Sequence, residues 1–72
     1  MSWAYRIFKD RRDGLVRYTI REIYYRKNGK PWLYSEEPQF PEGATAKELV
    51  EDLEMMLKDA KRGGVLAAKD FK

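Results

Sequence analysis

The side chains able to do chemistry here are carboxylates, lysines, tyrosines, serines and threonines, because the 72 residues include no Cys and no His. That composition excludes a disulfide framework, thiol nucleophiles, Cys/His zinc sites and imidazole acid-base catalysis. The nearest approach to a reactive pair is the acidic run of Glu48, Glu51, Asp52 and Asp59. Paired carboxylates catalyse when their environments push their pKa values apart inside a water-poor pocket. Asp52 and Asp59 lie two turns apart on a predicted helix with no pocket-forming sequence beside them, which predicts a solvated face. The chain has no phosphate-binding glycine loop and no nucleophile-base pair. No enzyme, no cofactor and no metal site is therefore expected.

Binding chemistry is better represented. Ten residues are aromatic, most of them in predicted strands. One helix covers only one sheet face, so part of the set Tyr24, Tyr25, Trp32 and Tyr34 is expected to remain exposed as a protein-binding surface. The plainer reading is that cross-strand aromatic pairs stabilise a small sheet. Met55 falls about 240° round the helix from Leu49, among acidic residues, and is a candidate anchor for a partner or dimer contact. Arg6, Arg17 and Arg21 share a predicted outer sheet face with Phe8 and Tyr25, and Lys27 and Lys30 flank a hairpin. Together these cations form the alternative, nucleic-acid-binding surface, with a merely solvated sheet face as the plain reading.

The elements that must position these groups follow from periodicity. Residues 3–9 alternate as a half-buried strand, and Asp10 to Gly14 supply the charged Asp-Gly connection of a hairpin. Residues 15–26 form the longest, central strand, with a bulge expected at Arg21 and Glu22 where the alternation slips. Pairing Ile7 with Val16 sets Tyr5 opposite Tyr18 and Arg6 opposite Arg17. Asn28-Gly29 signals a type I′ turn that pairs Lys27 with Lys30, Tyr25 with Trp32 and Ile23 with Tyr34. Strand three then spans about Trp32 to Ser35.

Residues 36–43 carry two prolines and read as a loop anchored to the core by Phe40. Thr45 and Glu48 make a capping box, in which Glu48 reaches back to Thr45. The helix over about 45–62 presents Leu49, Leu53, Met56, Leu57 and Ala60 as its core stripe, and Gly63-Gly64 ends it. Residues 63–72 either fold back through Val65, Leu66 and Phe71 or form a flexible tail. The fold class is α+β: a three-stranded antiparallel meander sheet, order 1-2-3, with one α-helix packed on one face and residues 1–72 as a single small domain.

Charge and size narrow the partners. Residues 1–35 carry nine Lys/Arg against three Asp/Glu, and residues 36–72 carry six against nine. A basic sheet beside an acidic helix could steer a charged partner or meet a second copy. A core this small sits near the limit for autonomous folding, so oligomerisation is expected. No charged-then-apolar leader and no long apolar run is present, which points to a cytoplasmic protein without membrane contact.

The order Tyr5-Arg6-Ile7, Asp13-Gly14, Tyr18-Thr19-Ile20, a Pro-containing loop, then Gly43-Ala44-Thr45 with Thr45-Ala46-Lys47-Glu48-Leu49, resembles the N-terminal part of the HicB antitoxin family. The Trp3-Ala4-Tyr5-Arg6-Ile7 strand and Glu22-Ile23-Tyr24-Tyr25 are also similar to a set of short uncharacterised bacterial and phage proteins. The chain departs from HicB proteins in lacking a P-G-C type segment between strands two and three, replaced by the Tyr24 to Trp32 hairpin. These 72 residues also hold no C-terminal DNA-binding domain. The resemblance implies a three-stranded antiparallel sheet with one helix, in a protein that binds other proteins rather than catalysing. No functional residue carries over. The expected function is a small non-catalytic protein-interaction module, either a homodimer or an accessory inhibitor docking on a larger protein.

Overall fold

A computed structural model of the chain describes residues 2–71. Its elements are β1 (Ser2–Arg12), β2 (Leu15–Tyr25), β3 (Pro31–Tyr34), α1 (Ala46–Arg62) and a closing 3-10 turn (Ala68–Phe71). The strands form one antiparallel sheet in the order β1-β2-β3, and the helix packs against it through β1. The α+β meander expected from the sequence is the fold observed. Lys72, the last residue of the expected tail, lies outside the described residues.

The first hairpin is longer and tighter than the composition suggests. Asp13 (φ 52°) and Gly14 (φ 81°) both take positive φ, as a two-residue type I′ loop demands. The strands therefore run through Arg12 and from Leu15, and Ile7 pairs with Ile20 rather than with Val16. Tyr5 faces Glu22, and Arg6 faces Arg21 instead of Arg17. The second hairpin also differs. Gly29 N–H donates to the Arg26 carbonyl (2.9 Å) and Gly29 alone in that loop has positive φ. This is a type I turn followed by a glycine bulge, not a type I′ turn. Ile23 pairs with Tyr34 as expected, but Tyr25 meets Pro31, and the register irregularity falls between Tyr24 and Tyr25 rather than at Arg21 and Glu22.

Register assigns the faces. Ala4, Arg6, Phe8 and Asp10 share one face with Ile23, Arg21, Thr19 and Arg17. This is the face expected to be open, yet Phe8 is 2% and Arg21 3% exposed. The tail closes it. Leu66 bridges to Phe8 alongside β1, accepting from Lys9 N–H (2.8 Å) and donating to the Ile7 carbonyl (3.0 Å). The chain then returns so that Phe71 packs edge-on to Tyr34 at 4.8 Å, with the Phe8 and Tyr34 rings 4.6 Å apart.

Arg21 survives in this core because each nitrogen of its guanidinium is engaged. Nη2 donates to Asp10 Oδ2 (2.7 Å), Nη1 to the carbonyls of Ser35 and Glu36 (2.8 and 2.7 Å), and Nε to Thr19 Oγ1 (3.2 Å). Its plane lies 4.9 Å from the Phe8 ring centre. A buried cation without such partners would unfold a domain of this size.

The opposite face carries Tyr5, buried beside α1. Phe40 does not anchor the preceding loop, being 72% exposed. The loop is held by backbone bonds, Ser35 N–H to the Glu22 carbonyl (3.0 Å) and Gln39 N–H to that of Ile20 (2.8 Å). It meets the helix at Gly43, where a Cβ would stand 2.6 Å from the backbone N of Leu49, so no larger residue fits. Thr45 Oγ1 accepts from Glu48 N–H (3.1 Å), while the Glu48 carboxylate reaches one residue further back than expected, to Ala44 N–H (2.9 Å). The helix ends at Gly63 in extended backbone.

Two substitutions test this account. Thr45→Ala should cost about 1 kcal/mol in urea unfolding, and unchanged stability would remove the cap assignment. Asp10→Ala leaves the Arg21 charge buried with neutral acceptors alone, and should cost roughly 2–4 kcal/mol. Arg17→Ala, which removes only the 3.0 Å pair of Arg17 with Asp10 at the periphery, should cost less than about 1 kcal/mol. Equal losses would show that Arg21 is not the group that needs Asp10.

Candidate interaction surface

The helix docks by one margin of the stripe its apolar period suggests: Met56 enters the core as expected, but the leucines do not. Met56 and Asp59 are buried and Asp52 is half-buried, whereas Leu49, Leu53 and Leu57 are 36%, 47% and 58% exposed. At about 100° per residue, Asp52, Met56 and Asp59 fall within about 60° of one another, and the leucine stripe starts beside Met56 at Leu49 and runs to Leu57, about 100° round the helix from Met56. Asp59, expected on a solvated face, accepts from the backbone N–H of Tyr5 (3.1 Å) through Oδ2. Asp52 accepts from Tyr5 Oη–H (2.9 Å) and from Glu42 N–H (3.0 Å). The expected leucine core is thus replaced by a polar clamp on the β1 edge. Its only sequence signal is the i, i+4, i+7 line of Asp52, Met56 and Asp59, which has meaning once a strand edge with an unpaired N–H lies beneath it.

The clamp perturbs Tyr5. Burial, the hydrogen bond to Asp52 and the charges of Asp52, Glu22 and Glu42 push its phenol up to about 12. Tyr24 also shifts upward, chiefly because its hydroxyl donates to Glu22 Oε1 (2.7 Å).

The residues expected to bind protein are not brought together. Tyr34 is spent in the Phe8 and Phe71 cluster. Tyr25 is half-buried, its hydroxyl accepting from Arg6 Nη1 (2.7 Å). Tyr24 shares the opposite face with Trp3 and Leu33. Trp32 is exposed at the second hairpin beneath the Arg26 guanidinium, 5.3 Å from its ring centre. Met55 is exposed, as expected, at the rim of an open 410 Å³ cavity with Phe40, Glu22, Glu48, Glu51 and Asp52.

Among the expected nucleic-acid contacts, Arg21 is sealed in the core and Arg17 is paired with Asp10. Arg6 donates to Tyr25 and to the Gly64 carbonyl (3.0 Å). Lys27 and Lys30 remain exposed. The outer basic face is therefore not a free surface, because intramolecular acceptors and the tail occupy it. Among the described residues no group of three or more acidic side chains could hold a metal ion, and no helix is long and apolar enough to cross a membrane.

Among the described residues, two apolar surfaces remain open that the sequence reading missed. One is the helix flank of Leu49, Val50, Leu53 and Leu57. The other is the Tyr5 face of the sheet, where Trp3, Val16, Tyr18 and Leu33 are all exposed, Tyr18 by 61%. No protein-family model, no curated protein and no solved structure matches this chain.

The Tyr5 clamp gives the surface a pH dependence. Tyr5 ionises later in the folded chain than its ordinary value of 10.0, so it favours the fold fully below that pH. Its contribution is lost as pH rises from about 10 towards 12. Unfolding midpoints measured across this range should fall more steeply for the wild type than for Tyr5→Phe. Absorbance titration of Tyr5→Phe should lack one late-ionising phenol. Parallel pH profiles would place the Tyr5 hydroxyl outside the clamp.

Proposed function

We propose that the protein is a small non-catalytic protein-interaction module, a homodimer or an accessory inhibitor that docks on a larger protein. The observation that carries this reading is the imbalance of its apolar side chains. Among the described residues, Tyr5, Phe8, Ile23 and Met56 are the buried ones, while leucines, valines and aromatics on α1 and on the Tyr5 face stay exposed. Scattered exposed apolar residues are ordinary, but contiguous apolar surface is characteristic of interaction sites. The resemblance to the HicB family points the same way, since it implies binding rather than turnover. A Tyr5 phenol held near 12 and bonded to Asp52 is a poor base or nucleophile at neutral pH.

A second reading, nucleic-acid binding, draws on the second hairpin alone, where Lys27 and Lys30 are exposed and Arg26 lies over Trp32. Cross-linking mass spectrometry and light scattering on the purified chain, with and without the proteins of its source cell, separate the two. The expected result is a saturable protein complex, with itself or another chain, that persists at high salt because apolar contact dominates it. A strictly monomeric chain with no saturable protein partner would overturn the reading. Oligonucleotide binding that weakens steeply with salt would favour the hairpin instead.

A further inference from the structure

We infer that the occupant of the open α1 flank is a second copy of this chain, packed helix against antiparallel helix about a two-fold axis. The inference rests on the protein-interaction reading above and narrows it to one surface and one partner.

Three observations carry it. The first is area. A folded monomer of 8.6 kDa is expected to expose about 4,700 Å². This chain exposes 5613 Å², a surplus of roughly 900 Å² over that expectation. A stable two-partner interface removes about 800 Å² from each side.

The second is the composition of the flank. Going round the helix from Leu49 through Ala60, Leu53, Ala46 and Leu57 to Val50, no charged residue intervenes, and Lys61 and Glu54 come next at the border. Interface cores are depleted of charge in this manner, with charge confined to the rim. The competing patch on the sheet is not so built, because the exposed Lys9 and Arg11 stand on the same face as Trp3 and pair directly with Tyr18 and Val16.

The third is charge order along the helix. Residues 46–54 carry four carboxylates against one lysine, and residues 55–62 carry three cations against one carboxylate. An antiparallel copy lays each acidic half beside a basic half, whereas a parallel copy lays like on like. Two-fold symmetry about an axis crossing the helix imposes the antiparallel arrangement, so the charge order of the helix as a whole is self-complementary, with Glu54 and Lys61 its members at the border of the flank. The flank is also unobstructed. Glu51, Met55 and Arg62, on the other side of the helix, line the cavities beside Tyr5 and the Ser2 end of β1, which leaves the leucine stripe facing away from them.

The test is sedimentation equilibrium on the full chain, followed by Leu53→Asp/Leu57→Asp and, as a control, Tyr18→Ser. The wild type and Tyr18→Ser should sediment at twice the protomer mass at micromolar concentration, and the double variant at the protomer mass or with at least a hundredfold weaker self-association. Because separation could also unfold the protomer, a second measurement uses the absence of native cysteine. Leu53→Cys should form an intermolecular disulfide rapidly under mild oxidation, and Leu33→Cys on the sheet should not. A wild type that is monomeric throughout overturns the inference, as does a dimer that survives the double substitution or cross-links through Leu33→Cys. If the monomer binds a different protein or anionic lipid vesicles and loses that binding in Leu53→Asp/Leu57→Asp, the second-copy assignment falls. Protein binding would leave the interaction reading standing. A monomer that binds no protein ends both.

Discussion

The fold depends on one buried guanidinium. Arg21 joins β1 through Asp10, its own strand through Thr19, and the loop after β3 through the Ser35 and Glu36 carbonyls, while its flat face rests on Phe8. Those contacts draw together segments that a four-residue third strand could not hold by ladder bonds alone. They also make the Phe8 face worth covering, since desolvation strengthens each charge-assisted bond. The tail supplies that cover. Phe71 closes over Phe8 and Tyr34, and Leu66 adds backbone pairing along β1.

With one face sealed by the tail, the helix is left to complete the other side at the sheet edge, and it does so by hydrogen bonding. A carboxylate accepting from a strand N–H fixes distance and angle in a way that leucine packing does not. Asp59 on Tyr5 N–H and Asp52 on the Tyr5 hydroxyl and Glu42 N–H therefore orient α1 with little apolar burial of its own, and Met56 between them is the one large helix side chain that enters the core. The consequence is an apolar stripe that helps form the helix without being consumed by the monomer's core.

The sequence was informative where signals are local. Strand alternation, the Asp13-Gly14 and Asn28-Gly29 turns, the Thr45 cap and the glycine stop each act within a few residues, and each marks an element that the fold contains. The Ile23 to Tyr34 pairing was legible for the same reason. The first register was not. Arg11 and Arg12 are charged because they lie near the exposed tip of a strand, and charge read as loop moved Ile7 opposite the wrong partner by four residues. The fate of Arg6, Arg17 and Arg21 was hidden more deeply, since their acceptors come from Asp10, from loop carbonyls and from a tail up to 58 positions away. Helical periodicity identified which residues share a face of α1. It could not identify which face meets the sheet, because that choice was made by a backbone N–H at the edge of β1.

The same edge limits how the molecule can assemble. A sheet edge is the usual invitation to self-association, through strand addition to unpaired N–H and C=O groups. In β1 that route is closed over its middle: Tyr5 N–H is taken by Asp59, and the Ile7 carbonyl and Lys9 N–H are taken by Leu66. On the other side the short β3 begins at a proline with no N–H to give and covers β2 only from Ile23 to Tyr25, and loop N–H groups take the Glu22 and Ile20 carbonyls next to it. Over the middle of β1 backbone pairing is therefore a poor means of holding two copies together, which leaves contact there to side chains. Of the side-chain surfaces left open among the described residues, the α1 flank alone combines large apolar residues with an uncharged centre, and the groups that clamp the helix in place are those that leave this flank outside.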